Sequence, residues 1–214
     1  MELKSNAPSK DKPSSIDILS RNTVYKGFFK IEKFRLRHAL FNGGMSKQMS
    51  RELFERGHAV AVLPYDPIRD ELVLIEQFRI GALDGTLNNN QGPWLTEIVA
   101  GMIGENESAE DVAVREAEEE AGLKINKLIH IMDYYSSPGG TSETISLYCG
   151  IIDSTEAKEG VFGLDEEHED IRVFKVSFEK AVELFKAGRI NSAAPIIAMQ
   201  WLMMNKRHLH ADDH

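Results

Sequence analysis

The chain has 214 residues, 42% hydrophobic and 28% charged, which suits one ordinary domain with an appendage or two small ones. A formal net charge of -9 argues against nucleic acid as a standing partner, and no apolar run approaches the roughly eighteen residues of a membrane span. Cys149 is the only cysteine, so an intramolecular disulfide framework is excluded, and the opening MELKSNAPSKDKPSS lacks the apolar core of a secretory signal; cytoplasm is the expected compartment.

Residues 1–15, rich in Lys, Ser and Pro, read as a disordered tail. Between Asn22 and Leu40, Val24, Phe28, Phe29, Ile31, Phe34 and Leu36 recur among Lys and Arg, which predicts antiparallel strands. Gly43 marks a turn, and Met49–Phe54 is a further short strand. This β unit, residues 16–56, is too small to bury a core by itself, so it packs on the rest of the chain or on a second copy. Residues 57–214 form the main domain. There His58–Leu63 and Glu71–Phe78 are strands, joined by a hairpin turn at Asp66-Pro67 and Asp70.

Residues 81–92, with Asn88, Asn89 and Asn90, are a surface loop, and a strand over Leu95–Ala100 leads into a helix. Strands over Asn126–Tyr135 and Thr144–Ile151 flank SSPGGTSE, and Cys149 reads as a buried strand residue. A long acidic loop, Asp153–Asp170, is punctuated by Gly160 and Gly163 and precedes a strand over Ile171–Val176. Ser177 caps a helix through Phe185. Asn191 or Ser192 caps the last helix, whose Ile196, Ile197, Met199, Trp201, Leu202 and Met203 read as core. Alternating strands and helices of this kind predict an α/β sandwich with a mixed sheet.

The chemistry concentrates in GMIGENESAEDVAVREAEEEAGL, from Gly101 to Leu123. Glu116, Glu119 and Glu120 sit at i, i+3 and i+4, so three carboxylates share about 100° of one helix face. Like charges so placed oppose the helix by a few tenths of a kcal/mol, roughly, per pair. A hard divalent cation turns that crowding to use, because Mg²⁺ takes carboxylates together with substrate phosphates. The bland alternative is a solvated Glu-rich helix, against which stand the flanking glycines and Arg115. Ser108 serves as N-cap with Asp111 three residues on, and Gly122 suits the left-handed position that ends a helix. Ala113, Ala117 and Ala121 form a slim stripe for close packing on a sheet, and Glu118 faces away from Glu120 into solvent.

This segment resembles the Nudix box. Gly101, Glu107, Arg115, Glu116, Ala117, Glu119, Glu120, Gly122 and Leu123 fill its positions in register. Seven fixed identities at roughly one in fifteen each make chance agreement on the order of 10⁻⁸ per window. Pro138, sixteen residues beyond Gly122 in SSPGGTSE, is similar to the pattern of the ADP-ribose pyrophosphatase branch. The likeness extends over YKGFFKIEKFRLRHALFNGGMS, RELFERGHAVAVLPYDPIRDELVLIEQFRI and GLDEEHEDIRV, with two local departures at NNNQG and around Glu156 to Gly160.

The resemblance implies the Nudix α/β/α sandwich with a mixed sheet, plus the N-terminal antiparallel unit placed across a homodimer. It implies Mg²⁺, with Mn²⁺ as the alternative, held by Glu116, Glu119, Glu120 and Glu169 and by the backbone carbonyl of Ala100. Arg115 then orients the carboxylates by an ion pair, with Glu107 holding the loop. The general base falls on Glu167, with Glu166 and His168 as alternatives. Arg51 and Arg79 are candidates for phosphate or ribose contact, since guanidinium binds phosphate bidentately. Phe28 or Phe29 stacks on adenine, and Met102 and Ser137 line the cleft. The implied reaction is hydrolysis of ADP-ribose to AMP and ribose 5-phosphate. Two alternatives stay open: another nucleoside diphosphate sugar such as GDP-mannose as substrate, and a non-catalytic ADP-ribose-binding module. A binding module could lose the box carboxylates, and this chain has all of them.

Overall fold

The computed structural model describes residues 14–84, 92–164, 166 and 168–209. Two compact units emerge: one runs to Arg56 and takes in Ser137–Glu143, and the other comprises 57–136 and the residues from Thr144 onward.

The first unit is an antiparallel sheet of β1 (Ile16–Lys26), β2 (Lys30–His38) and β3 (Met49–Glu55), with β2 in the middle. Its register runs from Ile16 opposite His38 to Lys26 opposite Lys30, with irregularities near Ile18 and Thr23. On the other side Phe34 pairs with Arg51 and Leu36 with Met49. The turn after Ser137 is stitched to β3, where the Phe54 amide donates to the Gly140 carbonyl at 2.8 Å and the Ser142 hydroxyl to Glu55 at 2.7 Å. Among the described residues, those buried in this unit are two carboxylates, Glu32 and Glu143. Arg21 and Arg56 pair with them, as burial of a charge demands.

The second unit is built on β4 (Ala59–Asp66), β5 (Glu71–Phe78), β6 (Trp94–Glu97), β7 (Val99–Met102), β8 (Lys127–Tyr135), β9 (Thr144–Ile151), β10 (Gly160–Phe162) and β11 (Ile171–Ser177). Among the described residues the sheet runs β10-β11-β5-β4-β9-β8, with β6 also on β5 and β7 also on β4. Only β4 and β9 pair in parallel, so the sheet is mixed. The helices α1 (Ala109–Ala121), α2 (Phe178–Lys186) and α3 (Ala193–Leu209) complete the unit.

Both sheet faces are covered, which explains why β4 reads as an unbroken apolar run. Val60, Val62, Val73, Ile75 and Val99 pack on one side with Val112, Ala113, Ala117 and Ala121 of α1. Ala61, Leu63, Leu72, Leu74 and Cys149 pack on the other with Ala181 of α2 and Met199 and Leu202 of α3. Helices on two faces of one mixed sheet make an α/β/α sandwich. The turn between β4 and β5 is fixed by the buried Asp66, whose Oδ1 accepts from the Ile68 and Arg69 amides at 2.8 and 3.0 Å. Asp70 adopts the left-handed conformation that such a turn requires. Burial pushes the Cys149 thiol up to about 12.

Three expectations need adjustment. The strand expected over Leu95–Ala100 is two strands, because the chain leaves β5 and crosses to β4 at the buried Ile98. The acidic loop contains β10, whose three residues give no readable period. Met203 is not core: it is 43% exposed, although it stands one helical turn along α3 from the buried Met199. Among the described residues no helix is long and apolar enough to cross a membrane.

Candidate active site

α1 is seated by its ends and its small residues. The Ser108 hydroxyl accepts from the Asp111 amide at 3.1 Å, and Gly122 ends the helix with φ 61°, its amide bonding back to the Glu118 carbonyl at 2.8 Å. The alanine stripe is fully buried, which brings the helix close to β4 and β7. Glu116 and Glu120 then face β7 at Gly101 and Ala100, while Glu118 is exposed.

Glu120 is 2% exposed, and its Oε2 accepts from the Ala100 amide at 3.0 Å. Desolvation pushes its carboxyl up to about 8; the Ala100 bond and the Arg79 charge pull the other way, and Glu116 and Glu169 add to the rise. Glu116 is pushed up to about 7, first by desolvation, with Glu119 and Glu169 adding to it and Arg115 opposing. Gly101 makes room for this arrangement, since a Cβ there would fall inside the Glu116 carboxylate. Arg115 reaches three carboxylates: Glu119 at 2.8 Å, Glu116 at 2.9 Å and Glu107 at 3.7 Å. Glu107 also accepts from the Gly104 amide at 2.9 Å, closing the loop between β7 and α1.

Glu169 approaches from the acidic loop, where its Oε2 accepts from the Leu164 amide at 3.1 Å. Gly163, with φ 107°, allows that approach, because a Cβ there would lie 2.6 Å from the Glu169 Cβ. Glu166 and His168 are exposed, and Glu167 lies outside the described residues. Arg79 follows β5 and donates from Nε to Glu97 at 2.7 Å. Met102, the last residue of β7, is partly exposed.

The other candidate substrate residues belong to the first unit. Phe28 is 88% exposed at the β1–β2 turn, edge-on to Phe29 at 4.7 Å between ring centroids. Arg51 is exposed on β3 and donates to the Ser50 carbonyl at 2.9 Å. Ser137 is exposed and opens the turn that Gly140 and Thr141 close on its carbonyl.

Reading the sequence missed two residues of the second unit. Glu97 is a buried carboxylate, and Gln77 is 7% exposed with no partner for its amide nitrogen among the described residues. Polar residues at the ends of otherwise apolar strands, EQF and LTEIV, are the signal that could have found them.

The donor set suits a hard divalent cation. Carboxylate oxygens are hard donors, and burial raises the Glu116 and Glu120 carboxyls, a cost that a bound cation would offset. Among the described residues no three acidic, histidine or cysteine side chains already stand in a clasping arrangement. Arg115 meanwhile holds two of the glutamates.

The NUDIX domain model matches residues 55–196. The chain is 50% identical over 204 residues to the ADP-ribose pyrophosphatase of Escherichia coli strain K12, covering 95% of each. It is 44% identical over 194 residues to that of Haemophilus influenzae, covering 91% of this chain and 88% of the relative. A GDP-mannose pyrophosphatase from Enterobacter sp. strain 638 is 30% identical over 190 residues, covering 89% and 96%. Among solved structures, one titled as an ADP compounds hydrolase superposes with a TM-score of 0.68 at 21% identity, covering 92% of this chain and 98% of that one.

Proposed function

The chain belongs to the Nudix family and is a hydrolase, and from that premise we propose that it cleaves the diphosphate bond of ADP-ribose, giving AMP and ribose 5-phosphate. The observation that carries the reading is the pair of desolvated carboxylates, Glu116 and Glu120, packed against the Ala100–Gly101 backbone with Glu169 nearby. Identity to ADP-ribose pyrophosphatases over nearly the full length of both chains supports the choice of substrate.

A divalent cation, Mg²⁺ or Mn²⁺, supplies charge neutralisation on the diphosphate and lowers the pKa of the attacking water. Glu116, Glu120, Glu169 and the Ala100 carbonyl are the groups that would hold it, with Glu119 exchanging between this role and its pairing with Arg115. Arg115 keeps the box glutamates on one side of α1, so the helix carries three carboxylates on one face without splaying them. Arg79 offers N–H donors to a phosphate oxygen on the same face of the sheet. Glu167 takes the proton of the attacking water; its place in the acidic loop, two residues before Glu169, supports this role.

We further propose a homodimer formed through the N-terminal sheet. Among the described residues that unit buries no apolar side chain, while Ile16, Ile18, Val24, Tyr25, Phe28 and Phe41 are more than half exposed. An apolar surface of that extent calls for a covering partner. Phe28, Arg51 and Ser137, all in that unit, are then assigned to the substrate.

The test is a comparison of kcat/KM for ADP-ribose, ADP-glucose and GDP-mannose with Mg²⁺ and with Mn²⁺. A preference for ADP-ribose of about tenfold or more is expected. The 30% identity to a GDP-mannose pyrophosphatase favours GDP-mannose as the second reading, and a preference for that sugar nucleotide would replace the first.

A further inference from the structure

β5 and β6 are antiparallel, with Ile75 opposite Glu97 and Phe78 opposite Trp94. Directly paired residues share a face, and Ile75 packs in the apolar cluster under α1, so Glu97 stands on the α1 face. Gln77 follows Ile75 by two residues on the same face. Arg79 continues in extended conformation (φ −128°, ψ 110°), its amide pinned to the Pro93 carbonyl at 2.8 Å.

A carboxylate that is only 9% exposed needs a compensating donor, and Glu97 has one in the Arg79 Nε. The pairing uses a single edge of the guanidinium. A purely structural Arg–carboxylate pair favours the two-bond fork, which occupies more of the five N–H groups. Here, among the described residues, no hydrogen bond engages Nη1 or Nη2, and the arginine side chain is 42% exposed. Its partner Glu97 lies on the α1 face of the sheet, the face that carries the box helix, and the arginine charge is felt at Glu120. The buried Gln77 amide nitrogen has no acceptor either. Gln77 and Arg79, two residues apart at the end of β5, thus each carry N–H groups with no acceptor among the described residues.

We propose that Glu97 is a positioning residue: it grips Arg79 by Nε and so presents the two terminal nitrogens to an anionic oxygen of the bound diphosphate. The inference rests on the hydrolase reading above and deepens it. Glu97 touches no substrate. Its effect passes through Arg79, so losing it weakens ligand capture more than the chemical step.

The decisive experiment is a double-mutant cycle over Arg79→Ala and Glu97→Ala, read as KM and kcat for ADP-ribose hydrolysis and as ADP-ribose affinity by calorimetry in EDTA. Glu97→Ala raises KM and the calorimetric Kd by about tenfold with kcat within about threefold. Glu97→Gln keeps an acceptor for Nε and recovers most of the loss. In the Arg79→Ala background, Glu97→Ala has no further effect. Should Glu97→Ala not fold, Glu97→Asp takes its place: raised KM and Kd are expected, and wild-type values overturn the proposal. Equal losses from Glu97→Ala with and without Arg79, or a fall in kcat at unchanged KM, also overturn it. A wild type inert toward ADP-ribose sinks the hydrolase reading and this inference together, whereas an active wild type matched by Glu97→Ala sinks this inference alone.

Discussion

In α1 one face buries Val112, Ala113, Ala117 and Ala121, and the carboxylates beside them are held where burial makes their charge costly. In the three-stranded sheet the order is reversed: apolar side chains lie at the surface, and the buried groups are Glu32 and Glu143, each paired with an arginine. One region is complete in packing and incomplete in charge. The other is complete in charge and incomplete in packing. The first fits the divalent cation proposed above, and the second the proposed pairing of two N-terminal sheets.

The largest effect expected is at Glu120. Glu120→Gln removes a buried oxygen donor without changing shape, so kcat with Mg²⁺ should fall by about 10³-fold or more while the far-ultraviolet circular dichroism stays native. Activity retained within tenfold would break the assignment of a charge deficit to this helix. Gly101→Ala comes next. Its methyl group displaces the Glu116 carboxylate, and a loss of about 10²-fold in kcat/KM is expected from misplacement alone, together with weaker Mn²⁺ binding by calorimetry.

For the sheet, the double change Ile18→Asp with Val24→Asp places two charges on exposed apolar positions. Sedimentation should then report a monomer for the variant and a dimer for the wild type, with Tm lower by about 5 °C or more in the variant. A wild type that sediments as a monomer removes the basis for the packing deficit.

A smaller effect lies in pH. The folded-state carboxyls of Glu116 and Glu120 are raised above the ordinary glutamate value, so between that value and about 7 to 8 the folded chain binds more protons than the unfolded one. Their contribution is therefore most favourable at low pH and is lost as pH rises through that window. In EDTA the Tm should carry a downward contribution of a few degrees, roughly, from pH 5.5 to 8.5. Mg²⁺ should restore it at the upper end, and Glu120→Gln should flatten it. The smallest effect belongs to Glu118→Gln, which is exposed on the far side of α1. Activity and stability should be unchanged to within about twofold and about 0.5 kcal/mol.

How legible each region was follows from how local its physics is. The helix could be read closely, because its cap, alanine stripe and carboxylate spacing all lie within one short segment. β4 and β5 were legible as apolar runs around Asp66-Pro67, a turn set by neighbouring residues. Glu97 was not, since its meaning arises only when it comes opposite Ile75 and within reach of Arg79. The same holds for the turn after Ser137, whose union with β3 depends on pairing across more than eighty residues of chain. In the N-terminal sheet the strands were evident, but what covers their apolar side chains is not written in any one segment.

Cys149 offers a practical opening. Its sulfur is sealed in the second unit's core and stays a thiol at any ordinary pH, so alkylating reagents meet it only when that core opens. Probes attached through cysteines introduced elsewhere could thus be installed with the native residue left in place. Its own slow modification would serve as a clock for the opening of this domain.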